Sequence, residues 1–314
     1  MYSRMLSYLL FEGRPLTTRG RWINPLVFLL FGLAKKMPQM KKVEKPIFIL
    51  GTGRSGTTIL GIVMSMHKEI GFLNEPKALW HSVYPYEDLI GSYSKDDAYY
   101  FLDAADTDEV QKKAIHKIFG AYLRMTFSQR VLDKYPELIF RIPYVKALFP
   151  DAKFIFLVRN GWDTCVSINY WSERLGKTSG VETHDWWGRG NRKWNLLVEQ
   201  VIKKDGYFKD LLPFIDEITS HTDMAALEWV VTMRQGLTAL KEYPESVVKV
   251  NYEELVAEPV SVLSEIKEFC ELEDDPVFME YGKKVLKPVK PKDQIPLHPA
   301  VKPLFLETMT TMGY

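Results

Sequence analysis

The sequence predicts an α/β fold in which a central parallel β-sheet is flanked by helices. Three observations predict it. Short, unbroken apolar runs recur along the chain, as expected of strands buried on both faces. Segments with apolar residues at helical spacing separate these runs. A glycine-rich turn joins the first run to the first helical segment, the strand–loop–helix context in which anions are bound.

Each element can be justified in turn. Residues 47–50 (Ile-Phe-Ile-Leu) follow Lys45-Pro46 and stop at Gly51, which marks the first strand. Ile59, Leu60, Ile62, Val63 and Met66 then recur at helical spacing. A second run, 70–73, ends at Asn74-Glu75-Pro76. Residues 108–129 read as a helix, with Asp106 or Asp108 as its cap. The run 154–158 (Phe-Ile-Phe-Leu-Val) is a strand, and helical sequence follows from Asp163, a suitable N-cap. A long helix spans 224–242, and a further strand, 247–250, ends at Asn251-Tyr252. The segment 260–271 is helical and starts after Pro259, a favourable first-turn residue. There is no internal repeat and no long linker.

Composition narrows the function. A chain of 314 residues that is 46% hydrophobic and 26% charged can bury a large core, so disorder is excluded. The net charge of +1 excludes a whole-protein basic field for nucleic acid. Two cysteines, Cys165 and Cys270, are too few for a disulfide framework and suit a reducing compartment. The histidines show no H-E-x-x-H spacing, so a zincin is not expected.

The charge is unevenly placed. Residues 1–45 carry nine Lys/Arg and two Glu, a net of +7, which leaves −6 on the remainder. Residues 1–45 are therefore read as a basic, apolar N-terminal arm, and 46–314 as a single domain. The arm's longest apolar run, 25–34, is far short of the ~20 residues a spanning helix needs. No small-residue cleavage site follows it. Two readings stay open: a segment packed on the body, or an interfacial element whose basic flanks meet anionic head groups. The expected location is cytoplasmic, with peripheral membrane contact under the second reading.

Gly51-Thr52-Gly53-Arg54-Ser55-Gly56-Thr57-Thr58 compares with the P-loop pattern G-x-x-x-x-G-K-[ST]. Gly51, Gly56 and Thr58 match, and Thr57 stands where the lysine belongs. Backbone N–H groups and the helix dipole can still hold an anion there. What is lost is the point charge that serves β- and γ-phosphates. The 154–158 strand ends in Arg159-Asn160-Gly161, where an NTPase usually places a Mg²⁺-binding Asp. A cation there attracts an anion directly and repels a metal. Ser167 lies one to two helical turns further on. The chain thus offers two anion sites, 53–58 and 159–167, which suits a ligand with phosphates at two ends and no metal.

These residues resemble the PAPS-dependent sulfotransferase superfamily, in its bacterial and tyrosylprotein-type (family 3-like) branch. Arg54-Ser55-Gly56-Thr57-Thr58 is similar to the family's 5′-phosphosulfate loop. Arg159-Asn160-Gly161-Trp162-Asp163 with Ser167 is similar to its 3′-phosphate motif. Asp133-Lys134-Tyr135-Pro136-Glu137 resembles its D-K-T-P-E segment, with Tyr135 replacing Thr, and 149–155 and 250–256 resemble two further segments. The likeness spans 46–314 in order and leaves the arm outside.

The resemblance implies a P-loop-like sheet with helical acceptor-binding insertions, and sulfuryl transfer from PAPS (3′-phosphoadenosine-5′-phosphosulfate) to a hydroxyl or amine. The acceptor class is a small molecule, lipid or glycan. Glu75 is implied as general base, with His81 as rival, and Lys134 as the lysine at the bridging oxygen. Gly53, Arg54, Ser55, Gly56, Thr57 and Thr58 are implied to hold the 5′ end, and Arg159 and Ser167 the 3′-phosphate. Tyr252 is implied to touch the nucleotide, and no metal is called for. Lys283, Lys284 and Lys287 are read either as a stretch closing over the cofactor or as a solvated loop. Trp80, Trp171, Trp186, Trp187 and Trp194 are read as acceptor-pocket aromatics or as core. Residues 176–194, rich in glycine, are the expected acceptor lid. The competing class is a P-loop nucleotide kinase, against which the missing lysine and missing Asp both count.

Overall fold

A computed structural model describes residues 2–179 and 182–314. Its centre is a five-stranded sheet of β1 (Ile47–Gly51), β2 (Ile70–Asn74), β3 (Arg130–Lys134), β4 (Lys153–Val158) and, after three short strands, β8 (Val247–Asn251). The order is β2-β3-β1-β4-β8, and every pairing is parallel. The three short strands are β5 (Lys177–Ser179), β6 (Glu182–Asp185) and β7 (Gly188–Arg189), which form a small antiparallel sheet.

Why the apolar runs are unbroken is visible in the core. Side chains alternate across a strand, so a strand covered on both sides must be apolar at every position. Phe48 and Leu50 enter one hydrophobic cluster, while Ile47 and Ile49 enter another on the opposite face. Phe154, Phe156 and Val158 divide from Ile155 and Leu157 in the same way. At the sheet's edge the pattern relaxes, and β8 exposes Lys249, a charge that discourages edge pairing.

β3 is not visible as an apolar run, because three of its five residues are charged. Each charged side chain is nevertheless buried with a partner. Arg130 donates to the Lys45 carbonyl at 2.8 Å, Asp133 accepts from Trp80 Nε1 at 2.7 Å, and Lys134 pairs with Glu75. Partnered polar groups take the place of apolar side chains there. The expected helix 108–129 is shorter, Glu109–Thr126, because the chain must leave it to enter β3. Its cap is Asp108, which accepts from Gln111 N at 2.7 Å. The helix after β4 begins at Gly161, and its cap is Asn160 rather than Asp163.

Residues of the arm pack on this body. Val27 and Phe31 of the arm helix (Asn24–Lys36) are buried and Phe11 sits edge-on to Tyr122 at 5.0 Å. Among the described residues no helix is long and apolar enough to cross a membrane.

Parallel pairing brings all five carboxyl ends to one edge of the sheet. The 51–58 loop leaves β1, Glu75 leaves β2, Lys134 ends β3, Arg159 leaves β4 and Tyr252 leaves β8. That edge is where ligands of open α/β sheets bind.

Candidate active site

The anion loop is shaped by backbone that only certain residues tolerate. Gly56 has φ +99°, and a side chain there would run into the ring of Tyr252. Arg54 is held at φ +70°, an uncommon conformation for a residue with a Cβ. Ser55 is buried and its hydroxyl donates to the Thr52 carbonyl at 2.6 Å, which closes the turn. Thr57 is the buried first residue of the helix Thr57–Met64, whose N-cap, Gly56, offers no side-chain acceptor. The first N–H groups of that helix therefore remain for a ligand.

The second motif folds onto the first. Arg54 Nε donates to Ser167 Oγ at 3.2 Å. The Arg159 guanidinium lies over the Tyr252 ring, 4.6 Å from its centroid, and its Nη2 meets Asp163 at 2.9 Å. Arg159 Nε is buried without a protein partner. Burial depresses the Arg54 pKa, and the positive charges of Arg174 and Arg159 depress it further. These guanidiniums repel one another, a situation an anion relieves. The two motifs, separate in sequence, thus form one continuous cationic surface bridged by the Arg54 side chain.

Glu75 sits on the other side of the loop. It too has positive φ, +52°. Its N–H donates to the Lys134 carbonyl at 2.8 Å and its carbonyl accepts from Lys77 N at 2.7 Å, which fixes this conformation. Its carboxylate pairs with Lys134 and lies 3.7 Å from Lys77. The charges continue inward. Lys77 meets Glu137 at 3.0 Å, Glu137 lies 3.5 Å from Lys193, and Lys193 pairs with Glu228. Glu228 then accepts from Trp186 Nε1 at 2.7 Å.

Three lysines and three glutamates alternate along this path. Burial pushes the Glu75 carboxyl up, but Lys134 and Lys77 outweigh it and hold the pKa below the ordinary carboxylate value. Glu137 is held low by Lys77 and Lys193 against the same opposing burial. Lys77 and Lys193 are raised, because their glutamates overcome the cost of burial. Glu75 is therefore ionised at neutral pH.

Between the two sides lies a cavity of about 250 Å³. Gly53 and Thr58 line it from the anion loop, and Glu75, Lys77 and Lys134 from the sheet edge. The arm contributes Tyr8 and residues 12–18, and the β6–β7 segment contributes 184–186 and Gly188. Trp186 packs on Gly53, where any side chain would strike its indole. Trp171 meets Trp186 edge-on at 5.5 Å.

Of the five tryptophans considered, Trp171 and Trp186 line the cavity, whereas Trp80, Trp187 and Trp194 are core. His81 bonds the Pro85 carbonyl at 3.0 Å and packs on Phe28 and Tyr93, outside the cavity lining. Lys283, Lys284 and Lys287 line a surface groove with Met66 instead. Of the expected lid, Gly180 and Val181 lie outside the described residues. In the sequence, Lys77 shows only by its spacing two residues after Glu75, Lys193 only as a basic neighbour of Trp194, Glu137 only within the 133–137 motif, and Glu228 not at all.

A parallel sheet with a glycine-rich loop after β1 and a second basic motif after β4 defines a P-loop-like fold. The sequence model of the Sulfotransferase family matches residues 46–202, half of the chain, and the chain belongs to that family. It is 25% identical over 240 residues to a protein-tyrosine sulfotransferase of Drosophila melanogaster, covering 74% of this chain and 45% of that protein. An uncharacterised protein of Aquifex aeolicus is 25% identical over 264 residues, or 79% of this chain and 28% of that one. The chain thus spans less than half the length of these curated relatives. Among solved structures, sulfotransferase STF1 of Mycobacterium tuberculosis H37Rv superposes with a TM-score of 0.50 at 14% identity, over 89% of this chain and 84% of that one. That likeness concerns the fold.

Proposed function

We propose that this chain is a PAPS-dependent sulfotransferase that passes a sulfuryl group to a hydroxyl or amine of a small molecule, lipid or glycan. The observation that carries this reading is the cationic surface of Arg54, Ser167 and Arg159 beside a cavity that holds an ionised carboxylate. Bound PAPS supplies an activated sulfuryl group whose leaving group is 3′,5′-ADP. The buried, unpartnered Nε of Arg159 and the uncovered N–H groups after Gly56 fit its two ends.

In this reading Arg159 and Ser167 hold the 3′-phosphate, with Tyr252 beneath. The loop 53–58 holds the 5′ end, and the hydroxyls of Thr57 and Thr58 with the loop N–H groups meet charge that grows on the leaving oxygen. Glu75 takes the proton of the attacking hydroxyl as the new O–S bond forms and the S–O bond to the 5′-phosphate breaks. Lys134 keeps Glu75 ionised and would offer its charge to the bridging oxygen of the donor. Transition states of this kind are loose, so positioning and charge stabilisation dominate.

Titration calorimetry with 3′,5′-ADP and with Mg·ATP tests it. The expected result is tight binding of 3′,5′-ADP without metal. Preference for Mg·ATP overturns the proposal in favour of a nucleotide kinase.

A further inference from the structure

The arm helix (Asn24–Lys36) is apolar on two faces, and the body covers only one. Val27 and Phe31 point into the core and are buried. Leu26, Leu29 and Leu33, about half exposed, follow one another at i, i+3 and i+7 on the opposite face. Trp22, just before the helix, is 83% exposed, and Met37 and Met40 extend the stripe beyond its end. Leucine repeated on a solvent face and flanked by an open indole marks an interaction surface.

Charge says what covers it. Arg19, Arg21 and Lys36 stand exposed around the helix, while Arg14 is buried and Lys42 pairs with Glu44. Arg19 precedes the stripe and Lys36 lies on its exposed side. A second copy of this chain would bring the same positive charge against itself, whereas an anionic bilayer complements it. We infer that the outer face of the arm helix, with Trp22 at its head, seats the protein on an anionic lipid surface.

The seat is joined to the cavity. Asn24, the first residue of the helix, accepts from Arg14 N at 2.8 Å and donates to the Arg14 carbonyl at 2.9 Å. Arg14 belongs to the segment 12–18 that walls the cavity. Leu16 N and Arg21 both bond Ser92, at 3.2 and 2.8 Å, and brace the same loop. Docking of the helix therefore brings the arm wall of the cavity to the lipid boundary. The inference stands on the surface alone and does not depend on the sulfuryl-transfer reading.

The test is co-sedimentation of the full chain with vesicles of phosphatidylcholine containing one quarter phosphatidylglycerol, and with phosphatidylcholine alone. Binding to the anionic vesicles should exceed binding to the neutral ones and should fall as salt is raised. The combined variant Leu26→Ser, Leu29→Ser, Leu33→Ser should lose at least about tenfold in partitioning. Its melting temperature should fall by only a few degrees, because those side chains are about half exposed. Equal partitioning of variant and wild type, or no binding by wild type, overturns the inference. So does a wild-type dimer in the ultracentrifuge that the same variant dissociates, which would assign the stripe to a second copy.

Discussion

The two sides of the site treat charge in opposite ways. On the loop side, Arg54 is exposed and feels the repulsion of Arg174 and Arg159, while Arg159 is largely buried with Asp163 as its paired acid. On the cavity side, Lys134, Lys77 and Lys193 alternate with Glu75, Glu137 and Glu228, so each buried charge meets its opposite. The difference teaches what each side is for. Unneutralised cation invites an anionic ligand and gains its favourable energy on binding. Balanced charge gains nothing from an anion, but it fixes one carboxylate in one place and one protonation state.

The largest expected effect comes from the cavity side. Glu75→Gln should reduce turnover by about 10²–10⁴-fold, measured at saturating PAPS, while 3′,5′-ADP affinity stays within about twofold. Loss of binding in parallel with turnover would erase the division between the sides. The next effect is on stability. Lys193→Met strands Glu228 in the interior, leaves Glu137 with Lys77 alone, and should cost about 3–5 kcal/mol in denaturant unfolding. The double change Lys193→Met with Glu228→Leu should recover part of this loss.

On the loop side, Arg159→Ala should weaken 3′,5′-ADP by about tenfold or more and 5′-AMP much less. Equal losses would mean that Arg159 does not meet the 3′-phosphate. A further effect concerns Asp133, buried beneath the site, whose pKa burial pushes up to about 8. The native carboxyl stays protonated while the unfolded one ionises near its ordinary value of 3.8. Stability therefore falls as pH rises from that value to about 8. Asp133→Asn should remove this slope between pH 5 and pH 8 in melting temperature, and an unchanged slope would place it elsewhere.

The same contrast governs what could be read from the sequence. The loop side is local: Gly51 to Thr58 and Arg159 to Ser167 are each contiguous, and their strands are unbroken apolar runs because both faces are covered. The cavity side is assembled from elements scattered between β2 and the helix His221–Glu242. Lys77, Glu137, Lys193 and Glu228 are ordinary charged residues in sequence, and only the tertiary fold makes them one path. β3 was hidden for a related reason, since Arg130, Asp133 and Lys134 look solvated until Lys45 O, Trp80 and Glu75 are placed beside them. The cap assignment moved from Asp163 to Asn160 because Asp163 is engaged by Arg159 and by Lys292 N at 2.6 Å.

The most direct test of the division is a crystal structure of the protein with 3′,5′-ADP. The expected result is a 3′-phosphate held by Arg159 and Ser167, a 5′-phosphate on the N–H groups of residues 53–58, and the carboxylate of Glu75 still paired with Lys134 or facing the open cavity. A phosphate seated among Glu75, Lys77 and Lys134, with Arg159 free of the nucleotide, would contradict the account.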